Sequence, residues 1–165
     1  MSAVTEHDDD LLYEVRGRIG WIMFNRPAAR NALTYAMYDR LAEICARVGE
    51  EDDIRALVLT GAGDRAFAAG TDINQFRALR TPEDAIRYEE RIDDVLNAVE
   101  ACRVPTIAAI GGACTGGGAL IAAVCDLRIA SADLRFGFPI AHTLGNCLSA
   151  VNYARLAALI GAARV

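Results

Sequence analysis

Two glycine-rich stretches hold the groups best suited to chemistry in this chain. The first is RAFAAGTDI, from Arg65 to Ile73, and the second is GGACTGGGAL, from Gly111 to Leu120. Each follows an apolar run that reads as a strand, Ile54 to Thr60 and Thr106 to Ile110. Small-residue turns at strand ends leave backbone N–H groups open to close approach, because no Cβ stands in the way. Two such turns converging on one point would offer two donors to an oxygen that gains negative charge during a reaction. Polar groups that could line such a site lie nearby. His142 and Asn146 follow in PIAHTLGNC, and Asp72 sits inside the first turn. An imidazole can act as a general base near neutral pH, although helix capping or packing is the plainer role for His142 and Asn146. Cys114 and Cys147 read as structural thiols, and Tyr35 reads as a core or surface residue that could also reach a ligand from the first helix.

The elements that must position these groups follow from pattern. Residues 1–10 read as a frayed, disordered tail. Leu11 to Arg16 and Arg18 to Phe24 form two strands joined at Gly17, a hairpin. The segment Asn25 to Leu33, NRPAARNAL, is a loop. Leu33, Met37, Leu41, Ile44 and Val48 then recur at helical spacing, with Thr34 as N-cap. Thr81-Pro82-Glu83-Asp84 starts a second helix, which Ile92, Val95, Leu96 and Val99 continue along one face. The second glycine turn opens a small-residue helix from Gly117 to Val124. A strand from Asp126 to Ala130 and a last helix from about Leu144 to Ile160 complete the series. This order of strands and helices predicts an α/β fold in one core over 11–165.

Bulk properties narrow the function classes. The chain has 165 residues, 53% hydrophobic and 24% charged, with a net charge of −5. An acidic balance argues against a broad nucleic-acid surface. All seventeen basic residues are arginine, so neither a Schiff-base lysine nor a P-loop lysine is available. The five cysteines contain no C-x-x-C pair, which argues against a zinc site or disulfide framework, and no metal is expected. No apolar run reaches membrane-span length, and the acidic start MSAVTEHDDD is unlike a signal peptide, so no membrane partner and a cytoplasmic location are expected.

The turn GAGDRA, Gly61 to Ala66, also fits a dinucleotide-binding pattern, but the FAAG that follows does not open an amphipathic helix. The two glycine turns could also serve tight packing alone.

Taken together, NRPAARNAL, RAFAAGTDI, GGACTGGGAL and CDLRIASADLRFGFP resemble, in order and spacing, the crotonase superfamily of enoyl-CoA hydratases and isomerases. The resemblance runs over residues 11–165 and implies a ββα spiral core lacking the family's C-terminal helical part, which helps cover the acyl site and build trimers. It implies an acyl-CoA thioester as ligand, coenzyme A being part of the substrate and no separate cofactor, and a homotrimer or dimer of trimers. By position, the oxyanion-hole N–H groups would be those of Ala68 and Gly117. Ala28, Ala29 and Arg30, with Ala69, Gly70, Thr71, Asp72, Ile73 and Gly116, would line the acyl-CoA site. Arg26, Arg30 and Arg65 would be phosphate partners. Asp72 mainly fixes the turn in this family. One departure bears on mechanism. The two positions that carry glutamates in the family's hydratases are Leu120 and Ile140 here, and neither can move a proton. The resemblance therefore implies a thioester-binding, enolate-stabilising protein that is not a true hydratase, or a binder without catalysis. His142, two residues past Ile140, is the in-chain candidate for a replacement acid/base.

Overall fold

The computed structural model describes residues 9–49, 53–77, 79–143, 145 and 147–165. The first two strands, β1 (Leu11–Arg16) and β2 (Ile19–Phe24), pair antiparallel as the expected hairpin, with Leu11 opposite Phe24 and Arg16 opposite Ile19. Along β2, Ile22 and Phe24 point into the core while their neighbours face outward, the period-two alternation of a half-covered sheet. A short 3-10 turn, Pro27–Ala29, leads into α1 (Tyr35–Arg47). Thr34 caps α1 as its sequence position requires: its Oγ1 accepts from Met37 N at 3.3 Å.

From here the chain repeats one unit. Each repeat adds a strand to a large sheet, then a three-residue strand to a small one, then helix. β3 (Ala56–Gly61) joins β2 in parallel, and β4 (Ala66–Ala68) starts the small sheet. The short α2 (Ile73–Phe76) and the long α3 (Pro82–Glu100) follow. β5 (Thr106–Ile110), β6 (Ala113–Thr115) and α4 (Gly117–Val124) form the next repeat. The last comprises β7 (Leu127–Ala130), β8 (Arg135–Gly137), α5 (Ile140–Thr143) and α6 (Ala150–Ile160). The large sheet has the order β1-β2-β3-β5-β7 and the small one β4-β6-β8, with every pair after the hairpin parallel. This is a ββα spiral, the architecture that the resemblance implies.

The core lies between the large sheet and helices α1, α3 and α4. Ile22, Phe24, Leu57, Leu59, Leu41, Ile44, Leu96 and Ile121 are fully or almost fully buried in it. Burial of one such side chain contributes about 1.5–3 kcal/mol. Phe67, the central residue of β4, meets Phe24 edge-on with ring centroids 5.3 Å apart, tying the small sheet to the large one. Asp126 joins the starts of two repeats: its Oδ2 accepts from Thr106 N at 2.7 Å and from Thr106 Oγ1 at 2.9 Å. Thr81 and Asp84 form the expected reciprocal cap of α3, through Asp84 N to Thr81 Oγ1 (3.2 Å) and Thr81 N to Asp84 Oδ2 (3.0 Å).

Three sequence readings change. The two glycine turns each contain a short strand, β4 or β6, as well as a turn. The last helix was expected from Leu144, which lies outside the described residues. The described helix α6 begins at Ala150, where Ser149 Oγ accepts from Asn152 N at 3.3 Å. Of the expected tail, Asp9 and Asp10 fall within the described residues and are held: Asn25 Nδ2 donates to Asp9 O (2.8 Å) and Asn25 N to Asp10 O (2.7 Å). Among the described residues no disulfide forms, and Cys45, Cys114 and Cys125 are buried, while Cys102 is half-buried and Cys147 exposed.

Candidate active site

The two glycine turns meet. Gly70 and Gly116 both have positive φ, 98° and 54°, and a Cβ on Gly116 would lie 3.4 Å from Gly70 Cα. A Cβ at that distance is in ordinary contact, so it is the left-handed backbone, which residues with side chains rarely adopt, that calls for glycine at both positions. Along one side of this contact runs a cleft of about 540 Å³. Its walls are residues 69–74 of the first turn, residues 115–117 of the second, and Phe76, Tyr88, Pro139 and Ile140. Arg26, Ala29 and Ala32 close the side formed by the NRPAARN loop.

Backbone hydrogen bonds decide which amides can face this cleft. Ala69 N donates to Arg30 O at 3.1 Å and Asp72 N to Leu33 O at 2.9 Å, while Leu33 N donates to Gly70 O at 2.8 Å. Leu33 thus uses both of its backbone groups on the residues either side of Thr71, a parallel bridge in which the N–H of Thr71 is turned away from Leu33. On the second turn, Gly117 is the first residue of α4, where helical geometry leaves N–H groups without intrahelical partners. Leu120 N is the first to be satisfied within the helix, by Gly116 O at 3.0 Å. Ala68 stands elsewhere. It is fully buried inside β4, paired with β6, and is not among the residues lining the cleft.

A chain of three hydroxyls backs the junction. Tyr38 Oη and Thr71 Oγ1 are hydrogen-bonded at 2.9 Å, and Thr71 Oγ1 and Tyr88 Oη at 2.8 Å. Tyr38 is fully buried on α1, and its hydroxyl fills the space that a side chain on Gly117 would need. Burial pushes the Tyr88 phenol up to about 12 and drives that of Tyr38 upward as well, so both stay protonated near neutral pH. Neither tyrosine was singled out from sequence; Tyr38 falls at helical spacing from Leu41 and Cys45 and reads there as one more core residue.

The NRPAARN loop is held by a buried polar side chain that sequence reading also missed. Asn31 is fully buried, with Nδ2 donating to Ala66 O (2.7 Å) and Ala62 O (3.0 Å) and Oδ1 accepting from Arg26 N (3.0 Å). It bolts the loop to the start of β4. Asn31→Ala removes three hydrogen bonds to the backbone, one buried and two part-buried, and a loss of about 3 kcal/mol in unfolding free energy is expected. Urea denaturation measures it; a variant as stable as the parent would show that water replaces the amide without cost.

The other expected site residues fall into two groups. Ala29, Ala69, Gly70, Thr71, Asp72, Ile73, Gly116, Gly117 and Ile140 line the cleft. Ala28 and Arg30 are exposed beside it on the 3-10 turn. Leu120 is buried and lines a smaller cavity of about 40 Å³, which shares Tyr88, Gly116, Gly117 and Ile140 with the cleft. Asp72 is a structural carboxylate. Its Oδ1 accepts from Asn74 N (2.9 Å) and its Oδ2 from Arg26 Nη1 (2.8 Å). These contacts, the backbone N–H first, hold its carboxyl below the usual range and make it a poor base. Arg26 is committed to Asp72, Asp10 and Ala32 O, whereas Arg65 is exposed. His142 is exposed on α5 and lines neither cavity; its N–H donates to Pro139 O at 3.0 Å. Asn146 lies outside the described residues. Among the described residues no cluster of His, Cys, Asp or Glu could hold a metal ion, and no helix is long and apolar enough to cross a membrane.

Known proteins resemble this chain in sequence and fold. The family model for enoyl-CoA hydratase/isomerase matches residues 14–165. The chain is 39% identical over 148 residues to an (E)-benzylidenesuccinyl-CoA hydratase of Thauera aromatica, covering 90% of this chain and 53% of that protein. It is 34% identical over 131 residues to a short-chain-enoyl-CoA hydratase of Clostridium acetobutylicum, covering 79% of this chain and 50% of that one. The crystal structure of an enoyl-CoA hydratase/carnithine racemase from Magnetospirillum magneticum superposes with a TM-score of 0.89 at 35% identity, over 95% of this chain and 59% of that one. The chain thus spans about half the length of the curated relatives it matches. A family match over nearly every residue of the spiral, on a fold that packs the two glycine turns against each other, leaves one assignment: the chain belongs to the enoyl-CoA hydratase/isomerase family of the crotonase superfamily.

Proposed function

We propose that this chain binds a CoA thioester in the cleft between the two glycine turns and stabilises the thioester enolate with the N–H groups of Gly117 and Thr71. The observation that carries this reading is the cleft itself, walled by both turns at their point of contact. Gly117 is proposed in the role expected from sequence. The second donor moves from Ala68 to Thr71, because Ala68 is buried in β4 and the amides on both sides of Gly70-Thr71 are consumed by Arg30 and Leu33 carbonyls. Two preorganised donors on a thioester oxygen lower the energy of the enolate far more than water does, since they need no reorganisation as charge develops. Of the three arginines expected to meet phosphate groups, Arg30 and Arg65 are exposed, while Arg26 is paired with Asp72 and Asp10.

The chemistry differs from hydration. Leu120 and Ile140 line the small cavity under the Gly117 turn, so apolar carbon occupies the ground from which an acid pair would orient and protonate water. The same observation supports a second reading, a CoA-thioester binder without turnover. The test uses the full-length protein and a panel of acyl-CoA thioesters. Crotonyl-CoA is expected to bind, with hydration slower than that of a true hydratase by about 10²-fold or more, the scale of losing an acid–base group. Efficient hydration would overturn the mechanistic part, and failure of any acyl-CoA to bind would overturn the proposal as a whole.

A further inference from the structure

The cleft needs a group to take a proton from the carbon beside the thioester, and the residues expected from sequence do not supply it. Asp72 is held ionised by Asn74 N and Arg26, and His142 lies outside both cavities. Helix α3 supplies a different carboxylate. Tyr88 lines the cleft and the small cavity alike, and Glu89, the next residue, lines that cavity together with Gly117, Leu120 and Ile140. Glu89 is the one carboxylate among the residues lining it, and it is half-buried. The 40 Å³ available there admits about one water molecule or a small substituent.

We infer that Glu89 is the proton-transfer group of this site, reaching the acyl α-carbon from beneath the Gly117 turn in place of the acids lost at positions 120 and 140. This inference rests on the cleft being a CoA-thioester site. Its surroundings suit the task. Ile92, Leu120, Phe138 and Leu148 share the cavity wall and strip water from the carboxyl, and Asp93 one turn further along α3 adds a like charge. Both effects, burial first, raise the affinity of Glu89 for a proton, which makes it a stronger base than an exposed glutamate. Asp93 itself is held from α6, accepting from Asn152 Nδ2 at 3.0 Å and lying 3.6 Å from Arg155 Nη1, so that arginine is turned toward Asp93. Tyr88 and Cys147 are the other titratable groups at the cavity.

The step balances without a co-reactant. The carboxylate of Glu89 takes the α-proton; the Cα–H electron pair becomes the Cα=C1 double bond; and the carbonyl π pair moves to the oxygen held by the two N–H groups. The reverse step returns the proton, or a deuteron in D2O. Deuterium entry at Cα of butyryl-CoA, read by mass spectrometry with the full-length protein, therefore reports the step directly, and calorimetry reports butyryl-CoA binding separately. The wild type is expected to exchange. Glu89→Gln, nearly identical in shape, is expected to lower the exchange rate by about 100-fold or more with binding unchanged, and Glu89→Asp to fall between. Exchange in Glu89→Gln at the wild-type rate, or its loss in His142→Ala alone, would overturn the assignment and leave the cleft reading standing. Butyryl-CoA bound by the wild type without exchange would overturn Glu89 together with the enolate chemistry. No binding at all would overturn the thioester site on which both rest.

Discussion

Gly117→Ala is expected to reduce α-proton exchange of a bound thioester by about 10²–10³-fold, the usual consequence of losing one oxyanion donor. The reason is steric. A methyl group at this position would overlap Tyr38 Oη and lie 3.4 Å from Thr71 Oγ1. Tyr38 is fully buried and hydrogen-bonded to Thr71, so its ring has no space into which to retreat. The start of α4 must yield instead, which carries the Gly117 N–H away from that of Thr71. Overpacking of this kind also costs about 1–3 kcal/mol of stability. Adding Tyr38→Phe removes the overlapping atom, and the double variant is expected to regain part of the stability lost, as urea denaturation of the four proteins in the cycle would measure. Gly117→Ala exchanging at the parent rate would show that this amide donates nothing to the reacting oxygen.

Gly118→Ala is expected to damage the fold rather than the chemistry. The added Cβ would stand 2.6 Å from both Cβ and O of Ala68, in the fully buried strand β4. A side chain can rotate away; a backbone carbonyl fixed in a parallel sheet cannot. The expected loss is about 3 kcal/mol, at the upper end of overpacking effects, and Ala68→Gly in the same protein should recover only the part due to the Cβ contact. The shift in urea midpoint at constant slope gives the value. An unchanged midpoint would mean that α4 does not pack against β4 as described.

The parts of this molecule written in local residue chemistry were legible in its sequence. The hairpin around Gly17, the caps at Thr34 and Thr81, strand β5 and helix α4 all have signals within a few residues. The small sheet was not legible. Its strands read AFA, ACT and RFG, too short and too poor in branched residues to form alone, and they become strands only because the spiral brings them side by side. The same dependence on distant partners explains the site. Choosing between Ala68 and Thr71 as the proposed donor requires knowing that Arg30 and Leu33 occupy the amides of Ala69 and Asp72, each 39 residues away in sequence. Asn31 looks like an ordinary loop residue until its three backbone partners are in place. Glu89 sits in a run of charges on α3, where a solvated face is the simplest reading, and only the packing of Ile92, Leu120, Phe138 and Leu148 around its cavity shields it in part from water.

If backbone donors at the two turns polarise a thioester carbonyl, as proposed, the vibration of that carbonyl reports it. Butyryl-CoA labelled with carbon-13 at the carbonyl can be bound to the full-length protein and its C=O stretch read by isotope-edited infrared difference spectroscopy. The expected stretch lies at lower frequency than that of the free thioester in water, with a smaller shift in Gly117→Ala. A bound thioester whose carbonyl stretch matches that of the free ligand would contradict the proposal.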